Sequence, residues 1–127
     1  MGLNQITEAI IGAAIRVHKA LGPGLLESAY EACLVYELRK LGFAVEEQKP
    51  VPVIYEEVKL ECGFRADLVV EQQVVVEIKA KDQFHPVDEA QLLSYLRLLH
   101  LNVGLLVNFH ECRLVDGIKR MVDHYED

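Results

Sequence analysis

Apolar residues recur at three- and four-residue steps over the first part of the chain, as they do on one face of an α-helix. This spacing predicts an amphipathic helix over residues 4–21, which the Gly-Pro-Gly run at 22–24 ends abruptly. A second helix is predicted over residues 25–41, with Gly42 as its C-terminal stop. The apolar positions of the first helix are Ile6, Ile10, Ala13, Val17 and Leu21.

From residue 43 onward the pattern changes to short extended segments. Residues 43–48 and 51–55 are interrupted by Pro50 and Pro52, and this suits a strand at the edge of a sheet rather than at its centre. Extended structure resumes over residues 58–62.

The most regular strand pattern is a hairpin whose arms are residues 64–70 and 74–80, both rich in β-branched side chains. The polar residues 71–73 form its loop. The remaining predicted elements are a helix over 87–99, a buried strand over 103–108 and an extended segment within 113–122.

This order of elements predicts an α+β fold, an α/β sandwich in which helices flank a central mixed sheet. The chain has 127 residues, of which 51% are hydrophobic, so residues 1–127 are expected to form a single domain with a buried core. No apolar run approaches the roughly 18 residues that span a bilayer. The first ten residues also lack the basic and apolar segments of a secretion signal. We therefore expect a cytoplasmic protein that does not act at a membrane.

The net charge and the cysteine content exclude some classes of function. Thirteen Lys and Arg against twenty Asp and Glu leave a net charge of −7, which argues against a protein that coats nucleic acid nonspecifically. An enzyme that meets phosphate through a local cationic patch or a bound metal is still allowed. Cys33, Cys62 and Cys112 form no CxxC pair, so a zinc ribbon or a four-thiolate iron–sulfur cluster is excluded.

Alternation along the hairpin predicts which side chains of each arm face the core. If both apolar faces join the same core, the loop at 71–73 must set Val70 opposite Val74. The expected core-facing residues are Phe64, Ala66, Leu68 and Val70 on the first arm and Val74, Val76, Ile78 and Ala80 on the second.

The same register sets Asp67 opposite Glu77 and Arg65 opposite Lys79. Opposed residues have Cβ atoms about 4.5 to 5.5 Å apart, so two carboxylates there require a proton or a cation between them. A pocket of both acids and a backbone carbonyl would suit Mg²⁺, and Lys79 would orient or deprotonate a water beside it. On spacing alone, a solvated polar face is the more ordinary interpretation.

Two helices contribute further candidates. Gln91 and Tyr95 are four residues apart and share a helix face. They would hydrogen-bond a metal water or a phosphate if they reach the hairpin; otherwise Gln91 is exposed and Tyr95 lies at the edge of the core. Glu27, three residues after Gly24, lies in a first helical turn, where a carboxylate interacts favourably with the helix N-terminus whatever its function.

In combination, these residues have the order and placement of a known family. The chain resembles the small prokaryotic GxxExxY protein family of the PD-(D/E)XK nuclease superfamily, and the likeness extends over about residues 6–122. The resemblance implies a restriction-endonuclease-like core. The residues that carry it are Gly24-Leu-Leu-Glu27-Ser-Ala-Tyr30, Asp67, Glu77-Ile78-Lys79 and Gln91-Leu-Leu-Ser-Tyr95.

The resemblance implies a role for most of these positions. Asp67 and Glu77 match the metal-binding acids, with the carbonyl of Ile78 as a third ligand. Lys79 matches the catalytic lysine. Glu27 matches a helix-borne acid that contacts the metal directly or through water.

A second set of residues would act on the substrate. Gln91 and Tyr95 match the element that, in exonuclease-type relatives, positions the lysine, the metal waters or the DNA strand. Arg65, Lys81, His85 and also Tyr95 would contact the nucleic-acid backbone near the pocket.

The function implied by the resemblance is Mg²⁺-dependent hydrolysis of phosphodiester bonds in DNA, with Mn²⁺ able to replace Mg²⁺. RNA is the less favoured substrate, and a homodimer is a further expectation. The alternative is a module that binds nucleic acid or protein, keeps the nuclease fold and turns over little, as the net charge of −7 and the small size suggest. A third interpretation is a homodimer whose hairpin acids are merely solvated. Tyr30 belongs to the signature, but the resemblance assigns it no role.

Overall fold

The computed structural model describes residues 1–123, and its elements follow the predicted order. The helices are α1 (Leu3–Leu21), α2 (Glu27–Lys40) and α3 (Pro86–Leu99). The strands are β1 (Val45–Pro50), β2 (Val53–Tyr55), β3 (Val58–Leu60), β4 (Arg65–Val70), β5 (Val74–Lys79), β6 (Val103–Asn108) and β7 (Ile118–Val122). A turn of 3-10 helix at Leu114–Gly117 leads into β7.

Five strands form one mixed sheet in the order β1-β4-β5-β6-β7. The central pair, β5 and β6, is parallel, and the other neighbours are antiparallel. These two strands are apolar at almost every position because helices cover both faces of the sheet. The strand that contains Pro50 is at the edge, as predicted, and β2 and β3 form a separate two-stranded hairpin.

The core has one apolar cluster on each face of the sheet. Helices α1 and α2 pack on one face, where Ile10 and Leu34 meet Val76 and Leu105. Helix α3 packs on the other face. The second cluster includes Ala66, Val75, Leu92, Leu96 and Leu106. The predicted α+β sandwich, with helices flanking a central mixed sheet, is therefore confirmed.

The first arm of the hairpin differs from the prediction at two residues. Phe64, expected to face the core, is 44% exposed, and Ala66 lies on the other face of the sheet. Val70 lies opposite Val74 as expected. However, Leu68 packs in the α1 and α2 cluster, whereas Ala66 packs in the α3 cluster. Strict alternation would place these two residues on the same face. The prediction that Ala66 shares the face of Leu68 is therefore wrong, because the strand changes its orientation at Asp67.

No helix within the described part of the chain is both long and apolar enough to cross a membrane.

Gly117, at the end of the 3-10 turn, packs directly against the backbone. A Cβ at this position would lie 2.6 Å from the carbonyl oxygen of Asn108. We expect Gly117→Ala to lower the free energy of unfolding, measured by urea denaturation, by about 2 kcal/mol. The added methyl group would press on the Asn108 backbone, which cannot move aside as easily as the end of a flexible side chain.

Gly12→Ala is the matched control for this substitution. Gly12 is exposed on α1, and nothing lies within 4 Å of an added Cβ. Replacing a glycine inside a helix by alanine is expected to stabilise the protein by about 0.5–1 kcal/mol. Equal effects of the two substitutions would contradict the close packing of the 3-10 turn on β6.

Candidate active site

The ladder between β4 and β5 stops before the two strands end. Its last backbone pair is Leu68 with Val76. Beyond that pair, the Asp67 N–H donates to Glu77 Oε2 at 2.7 Å, and the Ile78 N–H donates to Asp67 Oδ2 at 2.8 Å. Each acid thus binds the backbone of the opposite strand and takes the place of a missing ladder bond. We call this end of the β4–β5 ladder, at Asp67, Glu77 and Ile78, the cleft.

The neighbouring edge strand is distorted at the same level. Gln48 of β1 stands where a partner of Asp67 is expected, but it is missing from the register between Glu47–Leu68 and Lys49–Ala66. Its φ of +50° lies in the left-handed region, which few residues other than glycine adopt. The change of orientation at Asp67 therefore coincides with a local distortion of two adjacent strands.

The side chain of Gln48 links two acids across this distortion. Its Nε2 lies 3.0 and 3.1 Å from the carboxylate oxygens of Glu31 and 3.4 Å from Asp67 Oδ1. Burial, opposed in part by the Gln48 hydrogen bond, raises the pKa of Glu31, and the charge of Asp67 adds to the rise. Helix α2 therefore brings a third carboxylate, that of Glu31, towards the cleft.

Glu31 and Gln48 were missed by the sequence analysis. Glu31 is four residues after Glu27, so the two acids share a helix face, and this spacing was a usable signal. Gln48 gave no signal, because its role depends on a positive φ within a strand.

Glu27 is the first residue of α2 and reaches the end of β5. Its Oε2 accepts a hydrogen bond from the Ala80 N–H at 3.2 Å, directly after Lys79. The acid is solvent-exposed, unlike Glu77. The helix thus supplies a carboxylate on the side of the sheet covered by α1 and α2.

Glu77 carries the strongest electrostatic perturbation of the cleft. The residue is 4% exposed. Burial first, and then the charge of Asp67, raise the pKa of Glu77 to about 8, although the Asp67 N–H bond and the charge of Lys79 oppose the rise. In the absence of other cations, burial and the charge of Asp67 therefore favour the protonated form of Glu77.

Helix α3 closes the other side of the cleft with Tyr95. Its side chain is buried, and burial together with the charges of Glu77 and Asp67 raises the pKa of Tyr95. Its ring centroid lies 6.4 Å from that of Phe64, which stands just before β4. Gln91 is half-buried one turn earlier, and its side chain makes no hydrogen bond within residues 1–123. The structure thus brings Tyr95 to the acids, while it forms no bond between Gln91 and them.

A comparison of the sequence with models of known protein families shows which superfamily the chain belongs to. A family model described as the PD-(D/E)XK nuclease superfamily matches residues 4–121. The chain belongs to the PD-(D/E)XK nuclease superfamily. Neither a curated protein nor a solved structure matches it significantly.

Membership in the PD-(D/E)XK superfamily confirms the restriction-endonuclease-like fold and indicates nuclease activity on a nucleic-acid substrate. Nucleases of this superfamily typically use divalent metal ions. The chemistry of the cleft must therefore be compared with the needs of such an ion.

The backbone of Ile78 offers one oxygen to the cleft. Its N–H points towards β4, and in an extended strand the N–H and C=O of one residue point the same way. The Lys79 carbonyl points away, since it accepts the Phe109 N–H at 2.9 Å. Because the ladder to β4 has ended, the Ile78 carbonyl faces the cleft rather than a strand partner.

The donor set fits a divalent cation. Glu27, Asp67, Glu77 and the Ile78 carbonyl are all oxygen ligands, the kind that Mg²⁺ prefers. Among the described residues, no three His, Cys, Asp or Glu side chains stand ready to enclose a metal ion. Such a cage is not required, because Mg²⁺ is usually held by one or two carboxylates and keeps several waters. A bound cation would also stabilise the ionised form of a carboxyl that is buried beside a second acid.

The basic side chains predicted to contact the substrate differ in whether another residue already neutralises their charge. The Lys79 ammonium forms no hydrogen bond or ion pair with any residue from 1 to 123. Arg65 is exposed, and its Nη1 donates to the Gln48 carbonyl at 3.3 Å. By contrast, the Lys81 ammonium lies 3.0 and 2.8 Å from the oxygens of Asp88. Among these residues, Lys79 and Arg65 therefore have the charges most available to a ligand.

Two other residues fix the segment after β5. His85 is exposed at the N-cap of α3, and its backbone N–H donates to Asp88 Oδ2 at 2.9 Å. Asn108 is buried, donates to the Lys81 carbonyl at 2.7 Å and accepts from the Lys81 N–H at 3.1 Å. These bonds hold the chain on its way from the cleft to α3.

The raised pKa of Glu77 predicts a specific pH dependence of stability in metal-free protein. Between the ordinary pKa of 4.5 and about 8, folded Glu77 holds a proton that the unfolded chain releases, so stability falls as pH rises. Glu77→Gln removes this titrating group and keeps an oxygen that can accept the Asp67 N–H. We expect its free energy of unfolding, relative to wild type, to increase from pH 5 to pH 8 by on the order of 2 kcal/mol.

The measurement is urea denaturation with a chelator present at a series of pH values. Glu8→Gln, on the exposed side of α1, is the control and should follow the wild-type profile. If the free energy of unfolding varied with pH in the same way for wild type and Glu77→Gln, burial would not hold a proton on Glu77.

Proposed function

We propose that this chain is a Mg²⁺-dependent nuclease that hydrolyses phosphodiester bonds of DNA, and that Mn²⁺ can replace Mg²⁺. The observation that carries the proposal is the pair of cross-strand bonds that join Asp67 and Glu77 to the backbone of the opposite strand. They place both acids at the end of the β4–β5 ladder, beside Lys79. The sequence resemblance to GxxExxY proteins supports DNA as the substrate, with RNA as the second substrate to test.

In this proposal, Asp67, Glu77 and the Ile78 carbonyl hold the cation, and Glu27 contacts it directly or through water. When bound, the cation supplies positive charge to the scissile phosphate and to water near it. Asp67 and Glu77 each keep one oxygen on a backbone N–H, which fixes the direction of the other oxygen. The backbone thus orients the carboxylates before any ligand arrives.

Lys79 is the proposed catalytic base or water-orienting group. Its side chain is half-buried, and its charge acts on Glu77 and, more weakly than the nearer groups, on Asp88. Because no ion pair with a described residue occupies it, its ammonium is available to a water or a phosphate oxygen.

The substrate would approach along the side of the cleft where Tyr95 and Arg65 lie. Tyr95 presents a hydroxyl beside the acids, and Gln91 on the preceding turn presents an amide. Arg65 and His85 would contact neighbouring phosphates. Lys81 would do so only if its bond with Asp88 opened. A cytoplasmic location and a homodimer stay predictions.

Cleavage assays on single-stranded, duplex and flap DNA with Mg²⁺ or Mn²⁺ test this function. We expect Lys79→Ala and Asp67→Asn each to lower the cleavage rate by about 100-fold or more, because each removes a group that acts directly on the reaction. Lys59→Ala is the control: this lysine is exposed on the β2–β3 hairpin, so its removal should leave the rate unchanged.

The outcomes separate the alternatives. Thermal melting of each variant shows whether a loss of rate follows a loss of fold. Cleavage that persists unchanged in Lys79→Ala and Asp67→Asn would refute the proposed site. Nucleic-acid binding that survives both substitutions, with no cleavage of any DNA or RNA tested, would favour the interaction module.

A further inference from the structure

Tyr30 is completely buried, but its hydroxyl is bonded to a surface turn. The hydroxyl donates to the Gly22 carbonyl at 2.6 Å and accepts from the Leu25 N–H at 3.0 Å. One side chain of α2 therefore bridges the two ends of the turn that connects α1 to α2. A phenylalanine would fill the same space but would make neither bond.

The turn has few other means of fixing its shape. Gly22 and Gly24 have φ of +69° and +104°, which side chains with a Cβ rarely adopt. Leu26, the N-cap of α2, makes no side-chain capping bond. The start of α2 is thus held from within the protein by Tyr30 rather than by a cap at the surface.

The ring of Tyr30 connects this turn to the strands of the cleft. It stacks on Phe109, with ring centroids 4.4 Å apart and planes 9° from parallel. The Phe109 N–H in turn donates to the carbonyl of Lys79 at 2.9 Å. Two contacts therefore lead from the beginning of α2 to the end of β5.

Glu27 lies between these two anchors. It follows the turn by two residues, precedes Tyr30 by one helical turn, and accepts the Ala80 N–H at 3.2 Å. A shift of the turn would move the first residue of α2, and with it this carboxylate, relative to β5.

We propose that Tyr30 is a positioning residue whose hydroxyl fixes the turn at residues 22–25 and thereby sets the Glu27 carboxylate against the end of β5. The consequence for cation binding rests on the proposed function, in which Glu27 helps to hold the metal. The effect on the Glu27–Ala80 hydrogen bond does not depend on any metal.

The first test is calorimetric titration of the whole protein with Mn²⁺ alone, using Tyr30→Phe, Glu27→Gln and the double variant. Tyr30→Phe is expected to weaken Mn²⁺ binding about tenfold, as loss of a residue that orients a ligand does. In the Glu27→Gln background the same change should have no further effect, because the residue through which it acts has lost its charge.

Ile10→Val is the control for a general loss of stability. It trims the α1 and α2 core away from the turn, so it should lower the melting temperature without changing Mn²⁺ affinity. Equal weakening by Tyr30→Phe in both backgrounds, or no weakening at all, would overturn the role in cation binding.

The second test is amide hydrogen exchange in metal-free protein. Tyr30→Phe should speed exchange of the Ala80 amide, which directly follows β5, relative to that of Val76 within β5, whereas Ile10→Val should leave this ratio unchanged. An unchanged ratio in Tyr30→Phe would overturn the positioning of Glu27. Failure of the wild-type protein to bind Mn²⁺ would overturn the proposed function instead, and the Ala80 ratio would still decide the role of Tyr30.

Discussion

Two hydrogen bonds from backbone to carboxylate hold β4 and β5 together where their ladder stops. The Asp67 and Ile78 N–H groups would otherwise lack partners there, and buried backbone donors are almost always paired. The carboxylates of Asp67 and Glu77 are therefore structural links and candidate ligands at once. Substituting either acid is expected to loosen this end of the sheet as well as to alter its chemistry, so stability must be measured with every change of activity.

This arrangement concentrates acidic groups in a partly buried place. Burial and the charge of Asp67 raise the pKa of Glu77 to about 8, and Glu31 adds a third carboxylate whose pKa is also raised by burial. Gln48 offsets part of this repulsion by donating to both Glu31 and Asp67, at the expense of an unfavourable backbone angle. Strained or mutually repelling groups persist only where the surrounding structure holds them, and they cluster at functional sites.

The sequence allowed the elements, the mixed sheet and the facing acids to be predicted, because these follow from hydrophobic period and hairpin register. It did not reveal that the ladder breaks at Asp67, so Ala66 was assigned to the wrong face. Nor did it identify Gln48, whose contribution depends on a positive φ, or the bonds of Tyr30, which depend on a turn and a strand distant in sequence. Local pattern predicts what each segment prefers, whereas these features arise from contacts between segments.

The distribution of charge bears on how an acidic chain would meet phosphate. The chain has a net charge of −7, and Glu27, Glu31 and Asp67 place part of that negative charge at the cleft. Lys81 offsets little of this negative charge, because its ammonium is already paired with Asp88. Lys79 and Arg65 offset only part of this negative charge, so a phosphodiester at the cleft is more strongly attracted once a divalent cation is bound. Metal-free binding of nucleic acid, as expected of a module with no turnover, is therefore favoured away from these acids, and the location of such binding distinguishes the two functions.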